Sequence, residues 1–181
     1  MTVAIANVPA AGSAATAPGQ PVSRRAHALA DTLEDGARAL AAFAATLSEA
    51  EWRVPLPHDG RPLGVVVHHV ASVYPVEIEL ALTIASGASI TGLTPHDIHA
   101  MNAGHAAQQT DVTKADALRL LEENSAAAAA VIRGLSDAQL DTTTTNSLYG
   151  EAPLTCQFML EDHAVRHSYH HLAKIRAAVN R

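Results

Sequence analysis

Apolar residues recur at intervals of three, four and seven along four long stretches of the chain, and polar or helix-breaking clusters separate them. From Val22 to Leu47 there is no proline, strong helix formers abound, and Leu29, Leu33, Leu40 and Phe43 follow the helical period, which predicts a first long helix. Ser48 with Glu51 reads as a capping box on a short turn, and Pro55, Pro57, Gly60 and Pro62 then prevent continuation. A second helix is expected from Leu63 to Ser86; its period survives Pro75, which reads as a kink and not an end. Thr94 and Pro95 form an N-cap and first-turn pair for a shorter helix, "HDIHAMNAGHAAQQ". Thr113 or a neighbour caps a third long helix that stops near Gly134. Residues 136–152 read as loop with one helical turn, the threonines at 142–145 being the one strand-like alternative, and a fourth helix spans Pro153 to Val179. Long helices joined by connections too short to hide strands predict an all-α fold, an antiparallel four-helix bundle with one short extra helix. Residues 1–20 read as a flexible tail ahead of one domain over residues 21–181.

Composition narrows the function classes. A chain of 181 residues can bury a core without a metal or disulfide staple, and with 3% aromatic residues that core is built from Ala, Leu, Val and Ile. A formal charge of −6 and scattered aromatics provide neither a basic footprint nor a stacking platform, so no nucleic-acid partner is expected. No run of about 18 apolar residues lacks polar interruption, so no membrane span is expected. The single cysteine, Cys156, excludes an internal disulfide, suits a cytoplasmic location, and reads as a small buried core residue sooner than as a nucleophile.

Candidate chemistry lies in the histidines. "HAVRHSYHHLAK" places His163, His167, His170 and His171 on one side of the fourth helix. At about 100° per residue, His167 and His171 border the apolar arc while His170 points toward water. Two imidazoles at i and i+4 stand one above the other and can share an ion at about 2.0–2.1 Å from each nitrogen. On the second helix His69 falls among Val66, Val73, Val76, Leu80 and Ile84, whereas His68 falls on the polar side. An imidazole in an aliphatic stripe needs a partner, either a hydrogen bond or a metal shared with His167 and His171. Glu77 sits near the edge of the core arc, as a carboxylate that orients a ligand or carries a proton, or, the preferred reading, as a boundary residue on the solvent face. Asn102 and His105 on the short helix are candidates to line a pocket, or two ordinary surface polars. A di-iron Glu-x-x-His pattern and a zinc-protease HExxH are both absent.

The segments "RPLGVVVHHVASVYPVEIEL" and "EDHAVRHSYHHLAKIR" together resemble the DinB/YfiT-like superfamily, which includes the N-terminal domain of mycothiol-dependent maleylpyruvate isomerase. The resemblance covers residues 22–179, with Lys174 where the family often has Gln. It implies a four-helix bundle with one histidine ligand on the second helix, mapping to His69 because it directly precedes an apolar residue, and an HxxxH pair mapping to His167 and His171. It further implies a divalent ion, zinc or nickel among others, reactions assisted in several members by a low-molecular-weight thiol such as mycothiol, and a homodimer. Three histidine ligands would leave a coordination position open, as in catalytic zinc sites. Three readings follow: a metal-dependent enzyme, a thiol-assisted transferase, isomerase or hydrolase acting on a small-molecule substrate; a metal-binding bundle without catalysis; and a helical interaction module whose histidines are structural or bind haem.

Overall fold

Helix α1 (Arg24–Ala45) starts where the Ser23 hydroxyl accepts a hydrogen bond from the Ala26 amide, and it buries Ala26, Leu29, Ala30, Leu33, Ala37, Leu40 and Ala44 along one stripe. The computed structural model describes residues 23–180; the tail expected over residues 1–20 lies outside them. The capping box at Ser48 and Glu51 is formed and opens the one-turn α2 (Glu49–Trp52). Helix α3 (Leu63–Ala85) passes through Pro75 without ending, and Pro75 sits on its exposed side. Thr94 caps α4 (Pro95–Gln108) and Thr113 caps α5 (Lys114–Arg133), both as the sequence predicts.

Residues 136–155 depart from the expectation. The one helical turn is present as α6 (Asp137–Asp141), but in place of the expected loop there is an antiparallel hairpin, β1 (Thr143–Asn146) with β2 (Ala152–Thr155). Its threonines are β-branched and suit extended backbone, and Gly150 and Glu151, at φ of 63° and 62°, reverse the chain. Ile90 braces β1: its amide donates to the Thr145 carbonyl at 3.1 Å and its carbonyl accepts from the Ser147 amide at 3.0 Å. Residues 153–155 therefore belong to β2, and the last helical rod begins at Cys156. That rod consists of α7 (Cys156–Met159), a π-helical turn (Leu160–Val165) and α8 (Arg166–Ala178).

Side-chain pairings fix the helix directions. Arg133, at the end of α5, binds Asp31 and Glu34 in the first half of α1, while Lys114, at the start of α5, donates to the Leu47 carbonyl just past α1, so these two helices are antiparallel. Trp52 packs on Gly64 at the start of α3 and donates through Nε1 to the Val112 carbonyl just ahead of α5 at 3.0 Å, so α3 and α5 start at the same end. Along α3 and α8 the numbers run oppositely, with Glu77 bound to His167, Tyr74 to Ser168, and His69 beside His171. Tyr169 reaches the Thr32 carbonyl and Arg176 stacks over Phe43, so α1 and α8 are parallel. The four-helix bundle thus runs up, down, down, up. Because α3 and α5 are parallel, residues 86–113 must return along the bundle, and α4 makes that return packed against α3.

Among the described residues α3 is long and apolar enough to cross a membrane, with a mean hydropathy of 1.3 over 18 residues, contrary to the expected absence of such a segment. Its place explains the composition. Packed by α5, α4 and the α7–α8 rod, it is buried through Leu63–Val67 and again at Val70, Ala71, Tyr74, Ile78, Ala81 and Ile84.

Candidate metal centre

His69, His167 and His171 converge. Each offers one donor nitrogen, and the three nitrogens lie within 4.8 Å of one another. The ring of His69 stands edge-on to those of His167 and His171, with centroids 5.3 and 5.6 Å away, and the latter two stack at 4.9 Å as their one-turn spacing dictates. Tetrahedral coordination at 2.0–2.1 Å places donors about 3.3 Å apart, so small side-chain rotations close this group around an ion. Nδ1 of both His69 and His171 is buried without a hydrogen-bond partner. Burial, which disfavours the charged ring, together with the neighbouring imidazoles lowers His69 to a pKa of about 3 and His171 to about 2. Both are therefore neutral at physiological pH and hold lone pairs free to coordinate.

Glu77 is not the boundary residue that the sequence favours. It is 6% exposed, inside the bundle, and its Oε1 accepts from His167 Nδ1 at 2.5 Å. The carboxylate fixes the ring's tautomer and leaves Nε2 of His167 as the free donor. Two residues along the same interface, the Tyr74 and Ser168 hydroxyls share a fully buried hydrogen bond of 2.6 Å that locks α3 against α8 between the histidines. Glu77→Gln retains an acceptor but removes the charge, and it is expected to weaken zinc affinity about tenfold, measured by chelator competition.

The short helix supplies a second layer. His105 on α4 bonds through Nε2 to Nδ1 of His68 at 2.8 Å, and its ring lies edge-on to His69 with centroids 5.6 Å apart. His68, expected on the polar side, is instead half-buried under α4. Desolvation and the charges of His68 and Arg61 lower His105 to about 4. Asn102, three residues before His105, is half-buried, and the hydrogen bonds and ring contacts of the cluster do not include it. His170 is exposed, as expected.

Across the π-helical turn, the Tyr149 hydroxyl donates to Asp162 Oδ2 at 2.5 Å and meets His163 Nε2 at 2.9 Å. This pair on the hairpin side has no signature in the spacing of residues, because Tyr149 reaches the rod only through the fold of the hairpin. Cys156 is buried, as expected, and burial pushes its thiol up to about 11, so it is no thiolate nucleophile.

Comparison with known proteins places the chain. Residues 32–175 match the family model of the DinB superfamily. No curated protein matches the sequence. Among solved structures, YfiT from Bacillus subtilis, described as a probable metal-dependent hydrolase with an unusual four-helix bundle topology, superposes with a TM-score of 0.69 at 19% identity, covering 92% of this chain and 93% of its own. At that identity the likeness speaks for the fold, and the up-down-down-up course of the helices is a departure from the simple alternating bundle. With the family match spanning most of its length, the chain belongs to the DinB superfamily.

Proposed function

We propose that the protein is a metal-dependent enzyme acting on a small molecule, with His69, His167 and His171 holding a divalent ion, zinc or nickel. The observation that carries this reading is the convergence of three imidazoles from two helices, two with buried, unpartnered Nδ1 atoms and the third held by a buried carboxylate. Leaving such nitrogens without partners costs about 1–3 kcal/mol each, a cost that coordination through Nδ1 would offset. The ion would supply Lewis-acid activation of a nucleophile or of the group attacked.

The chain's own residues do the rest. Glu77 orients His167 and balances charge. His68 and His105 form a hydrogen-bonded pair reaching from His69 to a half-exposed position, suited to holding or passing a proton. Their lowered proton affinity keeps them available as acceptors near neutral pH. Hydrolysis is the favoured reaction, in line with the description of YfiT as a probable metal-dependent hydrolase. Transfer or isomerisation would instead take a low-molecular-weight thiol such as mycothiol as the nucleophile that the ion activates.

The test starts from untagged protein purified without chelator. Elemental analysis is expected to find about one divalent ion per chain. The loaded protein is then offered ester, amide and epoxide substrates with and without thiol. Absence of a stoichiometric ion defeats the metal reading, and an ion without turnover on any substrate leaves a non-catalytic metal-binding bundle.

A further inference from the structure

Between α2 and α3, residues 54–63 form a tight, hydrogen-bonded turn over the end of the bundle where His69 and His171 lie. Pro55 pairs with Pro62, the Leu56 amide donates to the Arg61 carbonyl at 2.8 Å, and the Leu63 amide donates to the Val54 carbonyl at 2.9 Å. Gly60, at a φ of 81°, closes the reversal, and buried Leu56 anchors it. The turn presents one ion pair. Arg61 Nε and Nη2 bind the two oxygens of Asp59 at 2.6 and 2.7 Å, with both side chains more than four-fifths buried. That pairing uses one edge of the guanidinium. Nη1 is buried and has no hydrogen-bond partner.

A guanidinium carries five N–H donors in a fixed fork, and burying one nitrogen without an acceptor costs more for a charged group than for a neutral one. Asp59 has both oxygens engaged on the other edge and cannot supply the missing acceptor. Arg61 lies two residues ahead of α3, which carries His69, and its charge is felt at His69, His105 and His171, so the guanidinium stands at the end of the bundle that holds the three histidines. Lys174, one turn past His170 on α8, also acts on Asp59, and Arg61 keeps donors that Asp59 does not use. Its remaining donors suit a planar oxyanion bound end-on by two parallel N–H···O bonds.

We propose that Arg61 is a substrate-anchoring residue, and that the site takes small molecules bearing a carboxylate that docks on the free edge of its guanidinium while the reacting group faces His69, His167 and His171. The position of the reacting group rests on the metal reading above; the anchoring of the carboxylate does not.

The experiment separates the two. Acetate is titrated into the full chain, zinc-loaded and metal-free, and its binding is followed by saturation-transfer NMR, with neutral acetamide as control. Wild type is compared with Arg61→Gln and with Arg61→Lys, which keeps the charge and loses the fork; circular dichroism checks that each variant is folded. Acetate affinity is expected to fall at least tenfold in Arg61→Gln and less in Arg61→Lys, with zinc content unchanged and no Arg61-dependent acetamide signal. Equal acetate binding by wild type and Arg61→Gln, or none by either, overturns the proposal. If wild type takes up no zinc, the metal reading fails, and the metal-free titration still decides the role of Arg61.

Discussion

Replacing His171 with alanine is expected to lower zinc affinity on the order of 100- to 1000-fold. Structural zinc sites with four protein ligands bind with about 10–16 kcal/mol, so one ligand contributes about 3–4 kcal/mol, or two to three decades in Kd. Isothermal titration or chelator competition on untagged protein reads this directly. A second readout is thermal: zinc at about 100 times its Kd stabilises wild type by about 2.7 kcal/mol, and that shift should vanish in the variant. The same residue carries a pH signature in metal-free protein. In the unfolded chain an imidazole binds its proton below about 6.5, whereas folded His69 and His171 do so only near 3 and 2. Between those values the unfolded state holds more protons, so stability rises with pH and is lost as pH falls from about 6.5 toward 3, by up to about 1.4 kcal/mol per pH unit for each ring. Urea unfolding in EDTA at several pH values should give that slope in wild type and a smaller one in His171→Ala. An unchanged zinc affinity in the variant contradicts the assignment of His171 as a ligand.

The helices and the three histidines were legible because each rests on a local rule. Ser48, Thr94 and Thr113 each cap a helix, and the four-residue spacing of His167 and His171 survives because both lie inside α8, beyond the π-helical turn. What was not legible depends on packing between elements. On α3 the apolar residues run all the way round, so their period does not fix which face is innermost. Val73, Val76 and Leu80, read as core, are half-buried, while Tyr74, Ile78, Ala81 and Glu77 point inward. His69 is buried nonetheless, since α8 covers it on one side and α4 on the other. Glu77 could not be distinguished from a surface carboxylate without knowing that His167 faces it. The π-helical turn shifts the phase of the last rod between Leu160 and Val165, so angles carried across it from residues before the turn lose meaning. The threonines at 142–145 were ambiguous for a different reason: a two-stranded hairpin is marginal alone, and this one leans on Ile90, some fifty residues away in the chain.

In the scaffold, Gly64→Ala is expected to destabilise the protein by about 1–3 kcal/mol net in urea unfolding, although alanine is the better helix former by about 1 kcal/mol. A Cβ at Gly64 would fall 2.2 Å from Cε2 and Nε1 of Trp52 and 2.8 Å from Cδ1. The indole has little freedom to retreat. It is 4% exposed, its Nε1 holds the Val112 carbonyl, and the Lys114 ammonium lies 5.9 Å from its ring centre. Moving it adds overpacking strain of about 1–3 kcal/mol to a lost hydrogen bond worth about 1 kcal/mol. Trp52→Ala alone should cost about 3–5 kcal/mol by emptying the same space. The double variant distinguishes contact from general fragility: with the indole gone the new methyl meets no obstacle, so Gly64→Ala should add nothing to Trp52→Ala, or recover part of its loss through helix propensity. The expected coupling is about 2 kcal/mol or more, well beyond the few tenths seen for independent sites. Strict additivity would mean that the ring does not enforce the glycine. Non-additivity would identify Trp52 as the wedge that joins the starts of α3 and α5, the parallel pair whose alignment forces residues 86–113 to travel back along the bundle and lay α4, with His105, over His68 and His69.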